Sequence, residues 1–272
     1  MKHPPAELHL AFTAAAADQL WETLGAISVS KADGQLVAGF PSRFEAEAAA
    51  VIVGGEVVEL DPQDNAYLDL WRAWAKPFRT GRLGVRPAWH ETLGAEVEVA
   101  IDAGHAFGHG AHPTTALVLT ALEAHLRGGE RILDIGCGSG VLAIAALALG
   151  ASSVVALDID PTAVTVTQAN AEANGVADRL TVSSAPLAKI SGAFDVVLAN
   201  IGVVVLRELA PLAAERVGAG GWLVLSGLLD HQWAEVVAVV PGFELINVAH
   251  DDGWATPLLR RPVVATQPTL LA

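Results

Sequence analysis

The spacing of apolar positions changes character along the chain. Glu7–Phe12 alternates apolar and polar residues as a strand does, and Ala14–Leu24 repeats at helical spacing. Ala26–Lys31 and Gln35–Phe40 read as strands around the turn Ala32-Asp33-Gly34. Ser42 caps a helical run that reaches Val53, and Glu56–Leu60 is a last strand. The order β-α-β-β-α-β is that of a small ferredoxin-like sandwich, and it carries no catalytic constellation, which points to docking or dimerisation. Beyond residue 105 short apolar runs take over. Strands are expected at Arg131–Ile135, Val154–Asp158, Leu180–Val182, Phe194–Ala199 and Gly221–Ser226, then near 243–249 and 255–261. Helical spacing fits 113–126, 141–149, 161–174, 203–217 and 231–239. Such alternation predicts an α/β fold, a mostly parallel sheet of seven strands with helices on both faces. Between the two patterns lies a connector rich in aromatics. There Tyr67, Leu70, Trp71 and Trp74 share one helical face and are expected to bury a joint, and Arg82–Arg86 and Glu96–Ile101 read as short strands. The organisation expected is a small α+β domain over 1–62, the connector over 63–104 and an α/β domain over 105–272.

Composition narrows this picture. With 272 residues and 52% apolar side chains the chain supports one large and one small core. No uncharged apolar stretch is long enough to span a bilayer, and the N-terminus lacks the layout of a signal peptide, so the expected location is the cytoplasm. The lone cysteine, Cys137, cannot form an internal disulfide and reads as a small turn residue. A net charge of −14 disfavours a nucleic-acid surface and favours a basic partner.

The chemistry concentrates where the large domain begins. Residues 132–140, Ile-Leu-Asp-Ile-Gly-Cys-Gly-Ser-Gly, carry a buried-strand signal into a glycine-rich turn, a helical run follows, and the next strand ends on Asp158. Strand, turn, helix and acid in that order form a pocket for an adenosine-bearing cofactor, with Asp158 able to accept both ribose hydroxyls. The glycines are Gly136, Gly138 and Gly140, preceded by Asp134. A carboxylate at Asp134 would repel a pyrophosphate and suits a cationic amino group. Asp160 reads as the N-cap of a helix with Pro161 at its first position.

Two further segments point the same way. Phe107-Gly-His-Gly-Ala-His-Pro-Thr-Thr115 leads into a helix on a tight path, with Thr114 and Thr115 offering hydroxyls at its start. His109 and His112 lack a third ligand or a carboxylate nearby in sequence, so no metal is expected. Leu198-Ala-Asn200-Ile201 closes a strand at the edge where parallel sheets meet ligands. Asn200 there can accept a hydrogen bond from an amine or simply close a turn.

The Asp134–Gly140 segment resembles motif I of the class I S-adenosylmethionine-dependent methyltransferases. With Phe107–Thr115, Asp158-Ile-Asp-Pro, Asn170-Ala-Glu-Ala-Asn-Gly175, Ala199-Asn200-Ile201, Ser226–Gln232 and Trp254, the chain resembles the PrmA-type methyltransferases of ribosomal protein L11. Trp71, Trp74, Lys76-Pro-Phe and Arg82–Trp89 are similar to the segment that joins that family's domains. The resemblance implies a Rossmann-like class I domain binding S-adenosyl-L-methionine through Phe107, His112, Thr114, Thr115, Asp134, Gly136, Gly138, Gly140, Asp158 and Asn200. It implies methylation of lysine or N-terminal amines of L11, with Asn200 orienting the amine, and no direct contact with nucleic acid or membrane. The chain departs from the family pattern at His109, where threonine is usual, at Gly202-Val-Val-Val-Leu206 in place of L-A-x-P-L, and in a shorter N-terminal domain. Those departures bear on the acceptor. The alternatives are another protein or a small molecule as acceptor, and a module that binds the cofactor without turnover.

Overall fold

The computed structural model describes residues 6–11, 13, 16, 19–20, 28–32, 35–40, 43–59, 75–104, 108 and 110–263. They fall into two compact units, one of residues 1–75 with 202–204 and one of 76–201 with 205–272.

The first unit holds strands β1 (Ala6–Ala11), β2 (Ser28–Ala32), β3 (Gln35–Phe40) and β4 (Glu56–Glu59), with helix α1 (Arg43–Val53) between the last two. Its antiparallel sheet has the order β2-β3-β1-β4. The β1–β3 register sets Leu8 opposite Ala38 and Leu10 opposite Leu36, so one face of the pair is apolar. Ala46 and Ala49, one helical turn apart on α1, complete the core with Leu20. Gly54 ends α1 at φ +76°, its N–H donating to the Ala50 carbonyl, a conformation that costs glycine little. The helix expected over Ala14–Leu24 lies mainly, and the aromatic face at 67–74 wholly, outside the described residues.

The second unit opens with a sheet of its own. Strands β5 (Phe78–Thr80), β6 (Leu83–Pro87) and β7 (Val97–Ile101) pair in that order, β5 antiparallel and β7 parallel to β6. Arg86 Nε donates to Glu98 across β6 and β7 at 2.7 Å, and this pairing holds the Glu98 carboxyl down at about 2. The main sheet follows: helix α2 (Pro113–His125), β8 (Arg131–Ile135), α3 (Val141–Ala148), β9 (Ser153–Leu157), α4 (Pro161–Ala173) and β10 (Leu180–Ser183). Then come β11 (Phe194–Asn200), α5 (Val203–Glu215), β12 (Val217–Ser226), β13 (Leu228–Leu229), α6 (Trp233–Ala238), β14 (Glu244–Asp251) and β15 (Trp254–Arg260).

Strand order in the main sheet is β10-β9-β8-β11-β12-β15-β13, with β14 also on β15. The first four pairings are parallel, and those of β15 are antiparallel. The sheet has eight strands where the apolar runs predict seven. The extra one is β13, two residues long, too short to show a pattern. Two more differences concern β5, which was not expected, and β12, which starts at Val217 although Gly218, Gly220 and Gly221 weaken its strand signal. The central strands are buried on both faces: Ile132, Leu133, Val197 and Leu198 are all inaccessible, each worth about 1.5–3 kcal/mol in removed apolar surface. Among the described residues no helix is long and apolar enough to cross a membrane.

This order places the site. The chain runs outward from β8 to β9 and β10, then crosses back to build β11 and β12 on the other side of β8. The reversal lies between β8 and β11, where the connections diverge and leave a crevice beyond the carboxyl ends of the strands. β8 ends next to the glycine turn, and β11 ends on Asn200.

Candidate active site

The turn after β8 is bent by three left-handed residues, Gly136, Gly138 and Gly140, at φ +78°, +54° and +80°. The amides of Gly136 and Cys137 both donate to the Leu157 carbonyl at the end of β9, at 2.7 and 3.0 Å, and Gly140 N closes the turn onto the Cys137 carbonyl. Neighbours inside the protein impose the same residue choice. A Cβ on Gly136 would fall 2.3 Å from Ile201 Cγ2, and one on Gly140 would fall 2.7 Å from Thr167 Cγ2. Gly140 then starts α3, in which every residue from Val141 to Leu147 is buried. Cys137 is buried in the turn, which pushes its thiol up to about 12 and leaves it neutral and inert.

Asp134 and Asp158 flank this turn under different conditions. Asp134, on β8, is completely inaccessible, and neither carboxyl oxygen has a hydrogen-bond partner among the described residues. Burial first, and the charge of Asp158 second, push its carboxyl up to about 7; the amide of Ala143 offsets a part. A buried carboxylate left without a partner is costly, and the cost is relieved by a proton or by a cation. Asp158, just past β9, is half-buried and fully engaged: Oδ2 accepts from Gly138 N at 2.9 Å and Oδ1 from Asp160 N at 3.0 Å. Each oxygen keeps a lone pair for hydroxyl donors. Asp160 caps α4, accepting from Thr162 N at 2.8 Å.

The other wall of the crevice is built on α2, β11, β12 and β15. His112 is the N-cap of α2: its Nδ1 lies 2.8 Å from Thr114 Oγ1 and accepts from Thr114 N at 3.4 Å. Its ring also stands edge-on to Trp254, with centroids 5.4 Å apart. Thr114 and Thr115 are buried, and Asn200 Nδ2 donates to Thr115 Oγ1 at 3.3 Å. Ser226, opposite Asn200 in the β11–β12 register, donates to the Thr114 carbonyl at 3.0 Å and lies 2.7 Å from Thr256 Oγ1 on β15. The structure thus groups Asp134, Gly136, Gly138, Gly140 and Asp158 on one side, and His112, Thr114, Thr115 and Asn200 on the other. Phe107 and His109 lie outside the described residues. Gly202–Leu206 leads into the first turn of α5. Among the described residues no cluster of three or more His, Cys, Asp or Glu is arranged to hold a metal ion.

Sequence reasoning counted the Asn170–Gly175 segment toward the resemblance but gave its asparagines, and Ser139, no structural role. Asn170 Nδ2 donates to the carbonyls of Asp102 and Ser139, both at 2.9 Å, while its Oδ1 accepts from Asp102 N. One turn later Asn174 does the same for Ala100 on β7. Ser139 Oγ donates to the Gly108 carbonyl, so the entry segment is tied to the glycine turn. Two asparagines four apart on one helix were the available signal.

The sheet order, the glycine turn and the acid at the end of β9 define a class I methyltransferase domain. The family model of ribosomal protein L11 methyltransferase (PrmA) matches residues 41–262, and the chain belongs to that family. It is 45% identical over 202 residues to the ribosomal protein L11 methyltransferase of Geobacter sp. (strain M21), a match covering 71% of this chain and 66%, just under two thirds, of that protein. It is 40% identical over 240 residues to the enzyme of the same name from Laribacter hongkongensis, covering 87% and 79%. Among solved structures, the ribosomal protein L11 methylase of Lactobacillus delbrueckii subsp. bulgaricus aligns with a TM-score of 0.63 at 28% identity, covering 68% of this chain and 98% of that one.

Proposed function

We propose that the protein is an S-adenosylmethionine-dependent N-methyltransferase that modifies lysine side-chain or N-terminal amines of ribosomal protein L11 in the cytoplasm. The observation that carries this reading is Asp134. A fully buried carboxyl without a partner among the described residues, at the switch point of a class I sheet, fits the ammonium of the cofactor's methionine end. Asp158 fits the ribose, since its backbone bonds fix both oxygens and leave each a lone pair. The names of its relatives supply the acceptor, and the excess of acidic residues suits a basic protein rather than a nucleic acid.

When bound, S-adenosylmethionine supplies a methyl group already activated on a sulfonium. The task left to the protein is alignment of a neutral amine. A lysine ammonium, with an ordinary pKa of about 10.4, must lose a proton first, and desolvation beside the sulfonium cation favours its neutral form. Asn200, at the end of β11, holds that amine by accepting one of its N–H bonds. The proton passes to solvent.

The test is methyl transfer from radiolabelled S-adenosylmethionine to purified L11, with mass spectrometry to locate the product. Labelled amines are the expected result. Cofactor binding without labelling of L11 would move the acceptor to another molecule, and absence of cofactor binding would end the reading.

A further inference from the structure

We infer that Asn170, buried on α4, is a positioning residue for the cofactor site: it fixes the glycine turn so that Gly138 N–H stays aimed at Asp158, the acid that fits the ribose. The inference rests on the reading of the crevice as a cofactor site for its ligand, while its structural part stands on bonds within the protein.

Thr167, Asn170 and Asn174 recur at intervals of three and four residues and so share one face of α4 and its C-cap. That face meets two stretches of backbone. One is the outer edge of β7, the last strand of its sheet, where residues two apart turn N–H and C=O to the same side. Asn174 Oδ1 accepts from Ala100 N at 2.9 Å while its Nδ2 donates to the Ala100 carbonyl at 2.7 Å. Asn170 grips Asp102 in the same way, at 3.0 and 2.9 Å. Two amides thus stand in for a neighbouring strand. Their partners are backbone groups of fixed polarity, so a flipped amide would set oxygen against oxygen, and the orientation of both side chains is determined.

The remaining N–H separates the two asparagines. Asn174 spends it within its own helix end, on the Asn170 carbonyl at 2.8 Å. Asn170 spends it on the Ser139 carbonyl at 2.9 Å, in the glycine turn. One turn earlier on α4, the inaccessible Thr167 donates to the Gly138 carbonyl, also at 2.9 Å. Two successive carbonyls of the turn are therefore pinned to α4. Peptide units are planar, so the pins fix the two planes on either side of Ser139. Gly138, at φ +54°, has no side chain to hold its own dihedrals, and the shape of the turn is set from outside. The bond from Gly138 N to Asp158 Oδ2 at 2.9 Å is the part of that shape that meets the site. Asn170 is 5% exposed, so water does not replace its amide.

The test compares Asn170→Ala with Asn174→Ala, which removes the same grip on β7 and leaves the turn alone. The chain has a single cysteine, Cys137, so carbonyl-labelled cysteine combined with nitrogen-labelled glycine isolates the Gly138 amide as one magnetic-resonance signal. Asn170→Ala is expected to shift that signal and to speed its exchange with solvent. It should also weaken the Kd for S-adenosylmethionine by roughly 3- to 10-fold, the worth of about one hydrogen bond. Asn174→Ala should lower the denaturation midpoint and leave both the signal and the Kd as they are. Should Asn170→Ala not fold, the milder Asn170→Ser takes its place with the same expectation. A Gly138 amide that does not respond to the loss of Asn170 overturns the inference. So does a Kd that weakens equally in the Asn170 and Asn174 variants, because both residues would then act through general stability. Failure of the unmodified protein to bind S-adenosylmethionine ends the proposed function, and the Gly138 signal still decides whether Asn170 holds the turn.

Discussion

Asp134 and Asp158 end neighbouring parallel strands of one sheet, and the protein treats them in opposite ways. The β8 end is closed over its carboxyl, with no exposure and, among the described residues, no hydrogen-bond partner. The β9 end is open, and its carboxyl is tied by two backbone amides. A carboxylate satisfied by amides is already at rest in the free protein and serves as a rigid acceptor. One sealed without a partner carries a cost that a bound proton or an arriving cation relieves. The difference comes from the turn. Its left-handed glycines aim Gly138 N at Asp158 and leave Asp134 behind the chain.

The largest expected break in this comparison is Asp134→Asn. It keeps the shape and removes the charge, so affinity for S-adenosylmethionine should fall by roughly 10- to 100-fold, the worth of a hydrogen bond between charged groups; calorimetric titration reads it. The same variant should be more stable than the unmodified protein at pH 8, where the buried charge is otherwise present.

A pH titration sharpens the point. The folded-state carboxyl of Asp134 lies at about 7 against its ordinary 3.8, so between those values the folded protein holds a proton that the unfolded chain has lost. Its stabilising contribution is complete below pH 3.8 and drains away as the pH rises to about 7. Unfolding midpoints in denaturant should follow that fall, and Asp134→Asn should flatten it. Cofactor affinity should run the other way, rising through pH 5 to 7 as the proton becomes easier to displace, while an α-ammonium with an ordinary pKa of about 7.7–8.0 keeps its charge. Affinity that is constant over this range would separate Asp134 from the ligand.

Asp158→Ala should have the opposite sign to Asp134→Asn, destabilising by about 1–2 kcal/mol, because two amides lose their acceptor and water reaches this half-exposed site only in part. Chemical denaturation of the two variants side by side tests that reversal. The smallest effect is expected for Ser139→Ala, about 1 kcal/mol of stability with the Asp134 response to pH retained. Loss of that response would mean that the tie from Ser139 to Gly108 also keeps Asp134 sealed.

The contrast also marks how far the amino-acid sequence speaks. The five parallel strands are legible because each is a short apolar run followed by a turn residue or helix cap. Asp158 and the cap at Asp160 are legible for the same local reason. The short strands β5 and β13 are not, since a period needs length. Nor is the lack of a partner for Asp134 among the described residues, which depends on distant parts of the chain. The bonds from Asn170 to Asp102, from Asn200 to Thr115 and from Ser226 to Thr114 span 68, 85 and 112 residues. Local spacing marks these residues as polar and silent about partners.

Ile201 is enclosed by two glycines from different sides. A methyl group on Gly136 would strike its side chain at 2.3 Å, and one on Gly227 would strike its backbone carbonyl at 2.4 Å. The two contacts constrain the history of substitution unequally. Trimming residue 201 opens room at position 136, where the left-handed backbone at φ +78° still disfavours any side chain. No replacement at 201 moves its carbonyl, and position 227 stays closed along every such route.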